Sequence, residues 1–75
     1  MVTGKKIDNA TIAKRIRDTR RAKDITQEEL AEKLEISQTQ VQRFETGKVK
    51  RMDIDILQDY CNALDTTLKY ILFEE

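Results

Sequence analysis

An all-α domain of five short helices is what this sequence predicts, on three observations. The 75 residues include no proline, and Ala, Leu, Ile, Glu, Lys, Arg and Gln dominate, a helix-favouring composition. Apolar residues recur three and four positions apart. Helix-start signals recur along the chain, each an oxygen-bearing cap with one apolar residue before it and another four positions into the helix. The length allows one domain, with residues 1–6 as an N-terminal arm and residues 7–75 as the folded unit. A chain of this size buries only about 60% of its unfolded surface, so its core is small.

Met1 to Lys6 has no periodicity. Lys5 and Lys6 equip it to touch phosphate, and a frayed tail is the plainer reading. The first helix is expected to start at Asp8, with Ile7 and Ile12 as the apolar pair that staples its entry. Ile12 and Ile16, with Ala13 and Thr19 beside them, form the inner stripe, and Arg20 lies on or near it. Lys14, Arg15, Arg17, Arg21 and Lys23 point outward or sideways. The helix ends near Lys23, where basic residues complement its dipole. Asp24 stands where a C-terminal glycine is usual.

Thr26 and Glu29 then form the T-x-x-E pattern of a capping box, with Ile25 and Leu30 as the staple. This second helix runs from Gln27 to about Leu34, with Leu30, Ala31 and Leu34 inward and Glu28, Glu29 and Glu32 in solvent. Ser37 and Gln40 repeat the box, and Ile36 and Val41 repeat the staple. The two starts lie about eleven residues apart, room for a helix of roughly two turns and a tight turn. The third helix runs from Gln38 to about Glu45, and Gly47 is expected to cap its end. At 100° per residue, Gln38, Gln42, Thr39 and Arg43 fall at about 0°, 40°, 100° and 140°, a hydrogen-bonding half. Gln40, Phe44, Val41 and Glu45 fall on the other half.

Val49 to Asp53 reads as a loop with Lys48, Lys50 and Arg51 at or near its edge. Asp53 caps the fourth helix, stapled by Met52 and Leu57. Ile54, Leu57, Tyr60, Cys61 and Leu64 form its core face, which makes Cys61 a small buried apolar residue. Asp65 again occupies a position usual for glycine. Thr66 or Thr67 caps a short fifth helix carrying Leu68, Ile71 and Leu72.

Composition excludes several function classes. One cysteine rules out an internal disulfide, and with no histidine a zinc site of the common nitrogen–sulfur kind is not expected. No metal cluster, Gly-rich phosphate loop or cysteine with a basic partner points to catalysis, so no enzyme and no cofactor is expected. The longest apolar run, Tyr70 to Phe73, is far short of the ~20 residues of a membrane span. Met1 to Lys6 lacks the apolar segment of a signal peptide, so the chain is expected in the cytoplasm. Net charge is zero, yet residues 1–51 hold 13 Lys/Arg against 8 Asp/Glu, and residues 52–75 hold 1 against 6. Two opposed halves of +5 and −5 make a directional field.

Two short helices joined by a tight turn are the geometry of a helix-turn-helix. Gln27, Leu30, Ala31, Leu34, Ile36, Ser37, Gln38, Val41, Phe44, Glu45, Gly47 and Lys48 carry a resemblance to the Xre family, the DNA-binding domains of phage repressors and Cro proteins. It runs from about Ile12 to Leu72. One departure is Glu35, where the family commonly has glycine. The resemblance implies a five-helix lambda-repressor-like fold and a sequence-specific regulator of transcription, a repressor or autoregulator. Such a regulator reads double-stranded DNA as a homodimer on an inverted repeat. It implies base reading by Gln38, Thr39 and Gln42, and Arg43 on a base or a phosphate. Gln27, Lys48, Lys50 and Arg51 become phosphate contacts, and Arg20 and Glu45 a clamp between the first and third helices. Dimer contacts in related repressors lie near the C-terminal end, which makes Tyr70 and Phe73 the dimer candidates. The alternative is an antitoxin or other protein-interaction module that binds a protein partner.

Overall fold

Capping side chains start the helices where the sequence places them. The computed structural model describes residues 8–49 and 52–73. The arm, the Ile7 half of the first staple, Lys50, Arg51, Glu74 and Glu75 lie outside the described residues. Asp8 caps α1 (Asn9–Ala22), accepting from the Thr11 N–H, so the helix begins one residue after the expected start. In α2 (Gln27–Leu34) the Glu29 N–H donates to Thr26 Oγ1 at 3.0 Å, and the Thr26 N–H donates to Glu29 Oε1 at 2.8 Å. In α3 (Gln38–Glu45) Ser37 and Gln40 make the same reciprocal pair at 3.1 and 3.0 Å. Asp53 stands at the N-cap of α4 (Ile54–Ala63) without a side-chain cap hydrogen bond. For α5 (Leu68–Phe73) the cap is Thr67, whose Oγ1 accepts from the Tyr70 N–H.

The first four helices also share one way of stopping. Asp24, Glu35, Gly47 and Asp65 all have φ between 56° and 74°. The next N–H reaches back five residues: Ile25 to Arg20 O, Ile36 to Ala31 O, Lys48 to Arg43 O, and Thr66 to Cys61 O. These bonds satisfy carbonyls that a helix end leaves open. Glycine supplies the left-handed residue only after α3, where the C-cap itself is Thr46 and Gly47 follows it. Aspartate and glutamate take the strain elsewhere, so the turn between α2 and α3 keeps its geometry with Glu35 in the glycine position.

No strand occurs among the described residues. α2 packs on α3 and α4, α1 on α3 and α5, and α4 on α5. Ile16, Leu30, Val41, Leu57, Cys61, Leu64 and Ile71 are fully buried where these helices meet. Ile25, Leu34 and Ile36 close the edges of that core, so Ile25 and Ile36 each follow one helix stop and staple the next start. Burial pushes the Cys61 thiol above its ordinary pKa, as suits a packing residue. Ile54 departs from the expected core face and is 57% exposed. The buried stripe of α4 is centred on Leu57, Tyr60, Cys61 and Leu64, and Ile54 lies at its edge on the first turn.

Candidate nucleic-acid interface

Burial divides α3 along the line its sequence draws. Val41, Phe44 and Glu45 are buried, and Gln38, Thr39, Gln42 and Arg43 are exposed. Gln40 is exposed too, but its side chain turns back to cap Ser37. Phe44 stacks on Tyr60 of α4, with ring centroids 4.0 Å apart and planes 12° from parallel. That stack holds the inner face of α3 while the outer face stays clear. Burial first, and the Glu45 charge second, push the Tyr60 phenol up to about 12.

A buried ion pair fixes the far end of α3. Arg20 donates from Nε to Glu45 Oε2 at 2.6 Å and from Nη2 to Glu45 Oε1 at 3.0 Å. The pair is a two-bond fork of the kind suited to arginine and carboxylate. The two side chains are 8% and 1% exposed. Arg20 Nη1 also donates to the Ile25 carbonyl at 2.7 Å, and Gln27 Nε2 donates to Glu45 Oε1 at 3.1 Å. The Glu45 carboxylate therefore ties the last residue of α3 to α1 and to the first residue of α2, and Arg20 adds the α1–α2 connection. Arg20 and Glu45, the two residues of the expected clamp, lie in contact, and Gln27 joins them. One amide N–H of Gln27 is committed to Glu45, which orients the side chain at the α2 N-terminus. Backbone N–H groups of a first helical turn have no intrahelical acceptor and attract anions.

Gly47 brings the chain after α3 against the start of α1. A side chain there would place its Cβ 3.3 Å from Ala10 Cα, at a φ of 74°. Beyond it, Thr39, Gln42, Arg43, Thr46 and Lys48 line one shallow groove that contains two bases and no acid. Thr46 was not singled out from the sequence. Continuing the 100° rotation one residue past Glu45 puts it at about 80°, between Gln42 and Thr39.

Two of the bases expected to point outward or sideways, Arg15 of α1 and its C-cap Lys23, bond to distant backbone carbonyls. Arg15 Nη1 donates to the Ile71 and Leu72 carbonyls at 2.7 and 2.9 Å. Lys23 Nζ donates to the Asp65 carbonyl at 3.0 Å, and Lys14 pairs with Asp18 at 2.8 Å. That hydrogen bond from Lys14 is the main cause holding the Asp18 carboxyl below its ordinary pKa. Arg15 and Lys23 thus place positive charge at the C-terminal ends of α5 and α4, where helix dipoles favour it. Tyr70 and Phe73 are 46% and 63% exposed on α5.

No helix among the described residues is long and apolar enough to cross a membrane. No group of three or more metal-ligating side chains occurs among them. The chain is similar in structure to the clp gene regulator ClgR from C. glutamicum. The two are 25% identical with a TM-score of 0.83, over 96% of this chain and 92% of that one. It is also similar to SinR, a master regulator of biofilm formation solved in complex with DNA. There the identity is 25% and the TM-score 0.71, over 80% of this chain and 95% of that one. The restriction-modification controller C.AhdI from Aeromonas hydrophila shares the fold, at 24% identity and a TM-score of 0.76 over 84% of this chain and 94% of that one. No curated protein matches in sequence. The family model for the helix-turn-helix matches residues 16–71. With five helices among the described residues, in the lambda-repressor-like arrangement, the chain belongs to the Cro/C1-type, or Xre, family of helix-turn-helix DNA-binding regulators.

Proposed function

We propose that this chain is a sequence-specific repressor or autoregulator that reads an inverted-repeat operator as a homodimer through the DNA major groove. The observation that carries this reading is the outer face of α3, polar, exposed and held by the Arg20–Glu45–Gln27 network. On that face Gln38, Thr39 and Gln42 offer side chains matched to base edges: glutamine pairs bidentately with adenine, and threonine bonds either base or packs on a thymine methyl. Arg43 serves a guanine or a phosphate at the groove edge. Gln27 meets a phosphate with its oriented amide and the adjoining backbone N–H. Lys48, with Lys50 and Arg51 that follow it in sequence, neutralises the DNA backbone. A single module buries about 600–1,000 Å² on DNA, small for specific binding, and a two-fold pair doubles it. Tyr70 and Phe73 are the surface proposed to join the copies. The cytoplasm, where such an operator lies, is the proposed location.

The experiment is selection of bound sequences from a randomised duplex pool, at low and then physiological salt. Enrichment of an inverted repeat is expected, with the repeat giving the half-site spacing. Gln38→Ala should then relax one base position per half-site, removing about 1–3 kcal/mol of discrimination. Lys48→Ala should weaken all sequences alike and reduce the salt slope by about 0.9. Retention of DNA at low salt with no enriched sequence overturns operator reading.

A further inference from the structure

Among the described residues, Arg17 of α1 alone has a buried side-chain nitrogen with no hydrogen-bond partner. That nitrogen is Nε. The side chain as a whole is still 34% exposed, so its open surface belongs to its other atoms. Nη1 and Nη2 are not sealed, and neither has a hydrogen-bond partner among the described residues. The guanidinium is thus held by packing at its root, with donors to spare at its end. A buried donor without an acceptor is rare enough in native structures to require an explanation.

Two contacts fix where Arg17 stands. Gly47 lies against Ala10, and Glu45 bonds Arg20. At 100° per residue from Asn9, Ala10, Arg17 and Arg20 fall at about 100°, 80° and 20° around α1. Arg17 therefore lies between those contacts both in angle and along the axis, beside the segment from Glu45 to Gly47. Ala13, at about 40° on the same flank, is 1% exposed, as suits a residue beneath that segment. Arg15, at about 240°, reaches α5 from the other flank. Both ends of the Arg17 flank adjoin residues proposed above to meet phosphates, since Lys48 follows Gly47 and Gln27 donates to Glu45. The acids nearby are already engaged. Asp18 takes a 2.8 Å bond from Lys14 and stands 3.8 Å from Arg17 Nε, and Glu45 accepts from Arg20 and Gln27.

We propose that Arg17 is a further DNA-backbone contact, seating a phosphate between the one met by Gln27 and the one met by Lys48. A guanidinium matches the paired oxygens of a phosphate. Packing already fixes its stem, so little side-chain freedom is left to lose on binding. α1 then forms a wall of the binding surface as well as a support for α3. The proposal rests on the DNA-binding reading above and adds to it a residue that positions the duplex without reading its sequence.

The test is binding of a short random-sequence duplex by the full chain across a range of salt, since backbone contacts act on any sequence. The native chain is compared with Lys48→Ala, Lys69→Ala and three Arg17 variants, each checked for its thermal unfolding midpoint. Arg17→Ala should lower the slope of log K against log salt by about 0.9 for each bound chain, as one lost phosphate contact does. Arg17→Gln, which keeps most of the packing, should do the same and stands in if Arg17→Ala is unfolded. Arg17→Lys keeps the charge and should keep the native slope. Lys69→Ala removes an equal charge from α5 and should leave the slope unchanged. A native slope in the Ala and Gln variants of Arg17, beside a reduced one in Lys48→Ala, overturns the role of Arg17 and leaves the DNA-binding reading standing. Equal losses in Arg17→Ala and Lys69→Ala overturn that role too, as an effect of net charge alone. Absence of salt-dependent binding by the native chain overturns both readings.

Discussion

At the scale of the residue, backbone strain is spread over side chains that rarely accept it. Glu35 sits at φ 58° and ψ 42°, where an L-residue loses roughly 1–2 kcal/mol. Glu35→Gly should therefore raise stability by about 1 kcal/mol, the relieved strain less the entropy a glycine loses on folding. Gly47→Ala should do the reverse, by about 1–2 kcal/mol or more, since its φ of 74° is joined by the 3.3 Å approach to Ala10. Urea unfolding midpoints measure both. Tyr60 sets a pH dependence. Its phenol is raised from 10.0 to about 12 in the fold, so the folded state favours the neutral form. The resulting stability is whole below pH 10 and is lost as pH rises through about 12. The stability difference between the native chain and Tyr60→Phe should shrink across that window, and an unchanging difference would mean that the phenol is not desolvated.

At the scale of the element, local grammar was enough to locate the helices. Both capping boxes and the Asp8 and Asp53 caps bracket helices whose ends fall within about a residue of their expected places. Ser37→Ala should cost about 1 kcal/mol of stability and increase amide exchange at the α3 N-terminus, because the Gln40 N–H loses its acceptor. Ile54 was misjudged because periodicity gives spacing but not where a buried stripe is centred. What local grammar could not reach is contact across the chain. Arg15 and the Ile71 and Leu72 carbonyls are 56 and 57 residues apart in sequence, and nothing near Arg15 announces them. Arg15→Ala should speed amide exchange in α5 well beyond any change in α2 or α3. Equal acceleration throughout would show that Arg15 supports the whole fold instead.

At the scale of the whole molecule, one carboxylate links three helices. Arg20→Ala or Glu45→Ala strands the other charge in a site that is 8% or 1% exposed, and each should cost about 3–5 kcal/mol. Replacing both, as Arg20→Met with Glu45→Leu, should restore much of that loss in thermal unfolding, since no charge is then left buried. The same double variant should leave the α2 N-terminus less ordered, because Gln27 loses its partner too. The candidate site was legible in two degrees. The exposed face of α3 followed from periodicity alone, and Arg20 with Glu45 followed from family resemblance. The role of Gln27 in that pair was legible from neither, because it depends on where the start of one helix meets the end of another.

That buried pair also governs how the chain is able to change over generations. A single substitution at position 20 or 45 is expected to cost about 3–5 kcal/mol, a large share of a small domain's stability, while an exchange of both at once should avoid most of that loss. The two positions are therefore expected to change together, although 25 residues separate them. The outer face of α3 carries no such bond to the core, so its residues are free to vary one at a time. Descendants of this chain should diverge first in Gln38, Thr39 and Gln42, acquiring new preferences on an inherited frame.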